Sequence, residues 1–398
     1  MKIDIGNALA DVADPGVPRG DLEDLNERVS EGHERIQDGR DANEYGYRAL
    51  NLPDQVDIDE IREVTGPFDP GAIIVIGIGG SGLGASTLAA LSEDSTTVHV
   101  LDNIDPKDIK SRLDAIPLSD AIIHVVSRSG STAETLANFL VVREAFTKAG
   151  IDWTDRTFIT TGQEGNLRRL ADENGLPVLD APPGVPGRFS VLSTVALPTA
   201  TLLDLDVERL LAGAREVATS LSNSLFETPP YAYGAMAYAL DQRGATMNAF
   251  LPYSESLEPL AEWFAQLWAE SLGKDGRGQT PLRALGVTDQ HSQLQLYRSG
   301  PRDKFITLLR PQNRPIVNIP TPNHADLNFL ADEDLGSLMD AEFRATEASL
   351  AAVSRPNVRI EVDTIDERCL GQLLYGFEAA CIMAGELYEV NAFNQPAV

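Results

Sequence analysis

Two stretches of this sequence combine glycine, hydroxyl and arginine residues at spacings that suit the binding of an anion. The first is Gly77-Ile78-Gly79-Gly80-Ser81-Gly82, which follows the apolar run Ala72-Ile73-Ile74-Val75-Ile76. A strand, a glycine turn and a helix start in that order leave backbone N–H groups unobstructed by Cβ atoms, and such a helix start attracts negative charge. The spacing Gly77-x-Gly79-x-x-Gly82 also satisfies the dinucleotide fingerprint, with Asp102 standing where a ribose-binding acid belongs. The second stretch is Ser127-Arg128-Ser129-Gly130-Ser131-Thr132, set between the apolar run 121–126 and the helical start Ala133-Glu134-Thr135. Four hydroxyls, one guanidinium and a helix N-terminus within six residues make a compact phosphate cradle. Helix capping accounts for one or two of those hydroxyls, not for four beside an arginine. A dinucleotide enzyme needs no second cradle, so the pair of loops favours a small phosphorylated metabolite, and Asp102 reverts to a strand-end acid.

Three side chains suit acid–base work on such a ligand. Glu262, Gln266 and Glu270 lie at i, i+4 spacing along one face of an apolar helix whose other face carries Leu260, Phe264, Leu267, Trp268 and Ser271. A row of this kind is ordinarily a solvated face. Glu270, however, sits in the last turn before Gly273, where the helix dipole disfavours an anion. His291 stands in the polar cluster Asp289-Gln290-His291-Ser292, and imidazole titrates in the range that proton transfer near neutrality needs. Of the other histidines, His99 and His124 fall in apolar runs and read as core residues. Arg188 follows the loop Pro182-Pro183-Gly184-Val185-Pro186-Gly187, and a guanidinium there could steady a developing oxyanion without giving up its proton.

The elements that must position these groups alternate. Strands are predicted at 72–76, 97–101, 121–127 and 157–161, and again at 246–251, 305–309, 316–319 and 358–362, with helices at 21–37, 257–272 and 334–352 and a helical region over 207–241. A helix is also predicted from Ser190. Strands separated by helices and Gly or Ser turns indicate parallel βα units. The expected fold is α/β, with two doubly wound parallel sheets of flavodoxin-like kind. The division is a polar N-terminal arm over 1–60, a first sheet domain over 61–205, a second over 206–362, and a C-terminal helix and tail over 363–398.

Composition narrows the partners. The formal net charge of −28 opposes nucleic acid and anionic membranes. The acid is dispersed, and lysine occurs only at positions 2, 107, 110, 148, 274 and 304, a pattern that points to adaptation to high salt. No leader and no membrane-length apolar run is visible, so a cytoplasmic location is expected. Cys369 and Cys381 suit neither a disulfide framework nor a zinc site and read as core residues.

Several stretches together resemble the glucose-6-phosphate isomerase family, which is built from two sugar-isomerase (SIS) domains. They are Ile76 to Gly84, Ser127 to Thr135, Gly187-Arg188-Phe189-Ser190-Val191-Leu192-Ser193, Gln266 to Lys274 and Asp289 to Leu296, in the family's order, with Arg128 where the family is expected to carry lysine. The resemblance implies reversible isomerisation of glucose 6-phosphate and fructose 6-phosphate through a cis-enediolate, a step of glycolysis and gluconeogenesis that requires no metal or organic cofactor. It implies Glu270 as the base between C2 and C1, Arg188 beside the enediolate, and His291 as the ring-opening group, reaching in from the neighbouring subunit of a homodimer whose active site lies at the subunit interface. Gly79, Gly80, Ser81, Ser127, Arg128, Ser129, Ser131, Thr132 and Gln266 are implied to bind substrate. The family's stretch resembling 390–398 continues into a tail whose lysine assists ring opening. The sequence ends at Val398, so either the native chain is longer or another group takes that task. The alternatives are an isomerase that also accepts mannose 6-phosphate, a non-catalytic SIS protein that senses a sugar phosphate, and a nucleotide-dependent dehydrogenase. The sensor has no reason to keep Glu270, Arg188 and His291 together, and the dehydrogenase requires NAD at the first loop.

Overall fold

A computed structural model describes residues 1–331 and 333–397. The chain forms two compact units, each assembled from separate stretches. One comprises 35–220, 366–378 and the residues from Phe393 onward; the other comprises 1–34, 221–365 and 379–392.

Among the described residues there are ten strands: β1 (Lys2–Asp4), β2 (Ala72–Ile76), β3 (Thr97–Leu101), β4 (Ala121–Ser127), β5 (Thr157–Thr161), β6 (Val178–Asp180), β7 (Met247–Pro252), β8 (Thr280–Arg283), β9 (Lys304–Pro311) and β10 (Asn357–Val362). The unit containing 35–220 holds a five-stranded parallel sheet in the order β3-β2-β4-β5-β6. Every residue of β2, β4 and β5 is buried. Strands covered on both faces read as continuous apolar runs, which is why their limits could be taken from the sequence. A fully buried isoleucine contributes about 1.5–3 kcal/mol, so β2 alone, with three of them, is a major part of this core. The Ala133–Lys148 helix adds Phe139, Val142 and Phe146 to it. Elsewhere in the unit, helices Val207–Ser220 and Glu367–Tyr388 approach closely. A Cβ on Gly371 would stand 1.9 Å from the Leu210 carbonyl oxygen, and one on Gly213 equally close to that of Arg368.

The other unit repeats the plan. Its sheet runs β1-β10-β9-β7-β8, parallel except for β1, which pairs antiparallel with β10. With the antiparallel β1 set aside, both sheets place their first strand beside their third, the doubly wound order that the sequence predicts.

Three expectations need correction. Residues 316–319 form no strand. Ile316 is 79% exposed in an open loop, because Pro315 and Pro320 bracket the apolar pair. No helix begins at Ser190: a 3-10 turn at Gly187–Phe189 leads into irregular turns, and the helix starts at Leu197. The region 207–241 is two helices, Val207–Ser220 and Pro229–Asp241, broken before the paired prolines Pro229-Pro230. Strands β1, β6 and β8 have no counterpart in the sequence reading; all are short and at sheet edges.

His99 is half-buried rather than part of the core. His124 is fully buried, stacked on Phe158 at 4.2 Å, with Nε2 2.8 Å from the Thr160 hydroxyl. Burial lowers its titration from 6.5 to about 3. The unfolded chain takes up this proton below about 6.5 and the folded chain does not until about 3, so stability should fall as pH drops through that window, by up to about 1.4 kcal/mol per pH unit. Urea titrations at successive pH values should show a shallower acid slope for His124→Gln than for the wild type; parallel slopes would refute the assignment.

Candidate active site

In open α/β sheets ligands bind beyond the carboxyl ends of the strands, at the point where strand order reverses. In the unit containing 35–220 that point lies between β2 and β4, which pair from Ala72↔Ala121 to Ile76↔Val125. The two glycine- and hydroxyl-rich loops are the segments that leave these adjacent strands, so the topology brings them side by side.

The first loop turns through Gly79, at φ +59°, into a 3-10 turn over Gly79–Ser81 and then the Leu83–Ala89 helix. Gly80 allows the closest approach in the site. A Cβ there would stand 2.2 Å from the Gly187 carbonyl carbon and 2.7 Å from the Arg188 nitrogen. A Cβ on Gly84, one turn on, would stand 3.1 Å from Val191 Cγ2 and 3.0 Å from Ala196 Cβ.

In the second loop the hydroxyls are organised about Thr132, whose Oγ1 lies 3.0 Å from Ser127 Oγ and 3.4 Å from Ser129 Oγ. The Ser131 amide donates to Ser129 Oγ at 3.3 Å. Thr132 is the N-cap residue of the Ala133–Lys148 helix, yet its side chain makes no capping bond. Simple helix capping is therefore not what these hydroxyls do, and their mutual spacing suits a ligand with several acceptor oxygens. Gly130, at φ +63°, lets the loop fold against Thr161, whose hydroxyl holds the Ser127 carbonyl at 2.7 Å. One donor of Arg128, Nη1, reaches the Val185 carbonyl at 3.0 Å.

Arg188 is not the surface arginine that its loop position suggests. It is 2% exposed, its Nη2 donates to the Asn394 carbonyl at 3.3 Å, and its guanidinium lies 5.5 Å from the Phe189 ring. Phe189 packs on Phe393, which packs edge-on against Tyr47. A guanidinium held at this depth keeps its charge at any working pH. The turn that carries Arg188 meets both loops, the first through Gly80 and the second through Arg128.

The remaining predicted residues belong to the other unit. The Glu258–Leu272 helix presents Glu262 to solvent, ion-paired with Arg283, while Gln266 and Glu270 are half-buried. Gln266 Nε2 approaches Glu270 Oε2 at 3.5 Å, and its Oε1 is buried without a hydrogen-bond partner. Lys274 closes the helix end, its Nζ donating to the carbonyls of Glu270 at 2.9 Å and Ser271 at 2.5 Å. His291 ends a 3-10 turn over Thr288–His291, exposed, with Nδ1 3.2 Å from the Val287 carbonyl. Asp289 fixes that turn by accepting from the Leu285 amide at 2.7 Å and the Ser292 hydroxyl at 2.8 Å. Burial pushes its carboxyl up, but these bonds and one from Gln293 hold it below the usual range.

Glu270 and His291 stand at opposite ends of one βα layer. Arg283, at the end of β8, pairs with Glu262 near the start of the helix, and Glu270 lies eight residues further along, about 12 Å away on the helix axis. His291 follows β8 on the Arg283 side. Sequence reasoning missed the carbonyls of Val185 and Asn394 that orient Arg128 and Arg188. Any residue carries such a carbonyl, so no side-chain pattern announces it.

The family model described as "Phosphoglucose isomerase" matches residues 40–398. Over its whole length the chain is 57% identical to a protein named "Probable glucose-6-phosphate isomerase" of Haloarcula marismortui, covering 92% of it, and 60% identical to one of the same name in Halobacterium salinarum, covering 94%. Among solved structures, a hypothetical protein of Thermus thermophilus superposes with a TM-score of 0.91 at 32% identity over all of this chain and 96% of that one. A glucose-6-phosphate isomerase of Chlamydia trachomatis shares the fold, with a TM-score of 0.73 at 21% identity over 87% of this chain and 70% of that one.

The contact between Gly80 and the Gly187–Arg188 peptide makes position 80 diagnostic. Gly80→Ala should cost about 1–3 kcal/mol and weaken inorganic phosphate binding several-fold. Gly20→Ala, in the first turn of the Arg19–Asp41 helix with nothing within 4 Å, should leave phosphate binding unchanged and, if anything, raise stability. Thermal unfolding and calorimetric titration report both, and an unperturbed Gly80→Ala would contradict the close approach.

Proposed function

The chain belongs to the phosphoglucose isomerase family, and from that premise we propose that it interconverts glucose 6-phosphate and fructose 6-phosphate through a cis-enediolate. The observation that carries the proposal is the meeting of the glycine loop, the hydroxyl loop and buried Arg188 at one turn, 185–188. Ser127, Ser129, Ser131 and Thr132 take the phosphate, with Arg128 alongside, and Gly79, Gly80 and Ser81 line the sugar side.

Ring opening comes first: His291 gives a proton to the ring oxygen as the C1 hydroxyl of glucose 6-phosphate passes its own to water. Glu270 then removes the proton from C2, exchanges it with solvent and delivers a proton at C1 while the O2 hydroxyl proton passes to O1, and Arg188, which stays charged at any working pH, stabilises the enediolate oxygen. The unpartnered Oε1 of Gln266 is available to a substrate hydroxyl. The separation of Glu270 from His291 along the helix supports a site completed by the His291 of a second copy, hence a homodimer. The same reading places the enzyme in the cytoplasm of a salt-adapted organism, in line with its dispersed acid. It also takes 61–205 and 206–362 as the two SIS domains.

Glu270→Gln keeps the shape and removes the base. In a coupled assay with fructose 6-phosphate in molar salt it should lower kcat at least about 10³-fold, within the range of a positioned acid–base group, with circular dichroism unchanged. More than a tenth of wild-type kcat in a folded Glu270→Gln enzyme would rule Glu270 out as the base.

A further inference from the structure

The turn that presents His291 is tied down by the residue before it. Gln290 is half-buried, and its side chain is held on three sides. Its Oε1 accepts from the Tyr253 hydroxyl at 2.8 Å and from the Thr346 hydroxyl at 3.0 Å, while its Nε2 donates to Glu342 Oε2 at 2.5 Å. A carboxylate accepts only, so Glu342 fixes which way round the amide stands and leaves Oε1 to the two hydroxyls. Glu342 and Thr346 are one turn apart on the Leu335–Ala351 helix. Tyr253 follows β7, is fully buried, and sets its ring edge-on against Phe343 of that helix at 4.9 Å. The same ring covers Gly286, where a Cβ would stand 2.6 Å from Tyr253 Cδ2. Burial pushes the Tyr253 phenol up to about 12, so it remains a donor near neutrality.

This frame reaches the imidazole through one carbonyl. The Val287 oxygen lies 3.1 Å from the Gln290 amide nitrogen and 3.2 Å from His291 Nδ1. A carbonyl cannot donate, so Nδ1 carries a proton in both charge states, and Nε2 is the nitrogen that gains and loses one. His291 is exposed, and an exposed side chain without such an anchor samples several rotamers. Misplacing a proton donor by 1 Å can cost about 100-fold in rate.

We propose that Gln290 is a positioning residue for ring opening: clamped by Tyr253, Glu342 and Thr346, it fixes the turn that keeps His291 Nδ1 on the Val287 carbonyl and presents Nε2 to the sugar. Nε2 gives its proton to the ring oxygen, the imidazole is left neutral with its Nδ1–H still on Val287, and solvent returns the proton to Nε2. This rests on the isomerase reading given above, and all the residues it uses lie within one compact unit.

Two substrates separate positioning from a general loss of structure. Fructose 6-phosphate must open its ring, whereas 5-deoxyfructose 6-phosphate lacks the hydroxyl that closes the furanose and meets the enzyme open. Deuterium uptake at C1 in deuterated water containing molar salt reports both. Gln290→Leu should lower kcat on fructose 6-phosphate about 10- to 100-fold with little change in KM, and should stay within about twofold of the wild type on the 5-deoxy substrate. Gln290→Glu sets a second carboxylate against Glu342 and should lose as much; Gln290→Glu/Glu342→Gln, which exchanges amide and acid, should recover most of it. Should circular dichroism show Gln290→Leu unfolded, Tyr253→Phe removes one of the three bonds and should give a smaller loss, again on fructose 6-phosphate alone. Nitrogen NMR should show a single Nδ1–H tautomer at His291 in the wild type and mixed tautomers in Gln290→Leu, with His291→Asn identifying the signal. A folded Gln290→Leu enzyme with wild-type kcat, an equal loss on both substrates, an exchange that recovers nothing, or an unchanged tautomer would overturn the proposal alone. A wild type that converts neither substrate, or a His291→Asn variant as fast as the wild type, would overturn the isomerase reading and the proposal with it.

Discussion

The contact of Gly80 with the Gly187–Arg188 peptide is the constraint on which the proposed phosphate-binding half of the site depends. With a hydrogen atom in place of a side chain, the glycine loop after β2 lies directly on the turn that carries Arg188. The same turn accepts a hydrogen bond from Arg128 of the loop after β4. Two loops and a buried cation are thereby fixed with respect to one another before any ligand arrives. Preorganised positive charge of this kind needs no rearrangement during reaction, which is where much of an enzyme's electrostatic advantage originates.

That contact is possible because of strand order. Placing β2 beside β4 makes neighbours of two loops that are about fifty residues apart in sequence, and full burial of both strands leaves them little freedom to slip. The second sheet repeats the order and uses it differently. Its strand ends carry His291 and the 312–331 loop, while Glu270 stands at the far end of the helix that follows β7. One fold, used twice, separates the proposed ring-opening histidine from the proposed base, the separation on which the proposal of a second copy rests.

The legible part of this architecture was the part in which burial is written as composition. The runs 72–76, 121–127 and 157–161 are strands with those limits because parallel strands between helices are apolar or small on both faces, whereas 97–101 is an edge strand legible from its β-branched residues. The run 316–319 has the same texture and is an exposed loop, since flanking prolines and the absence of a partner strand matter more than four residues of propensity. Strand β8 escaped notice because Pro281 and Arg283 belong to a sheet edge, where apolar patterning is weak. The phosphate loops stood out as side-chain patterns. The burial of Arg188 did not, because it depends on Phe189, Phe393 and the carbonyl of Asn394, which come together only in three dimensions.

The central claim, proton transfer through an enediolate on a sugar phosphate held by these loops, is tested most directly by converting fructose 6-phosphate in deuterated water containing molar salt. The account predicts glucose 6-phosphate with deuterium at C2 from the wild type, and neither product nor label from Glu270→Gln. Conversion with no label at C2, which would indicate a hydride shift, or conversion undiminished in the variant, would contradict it.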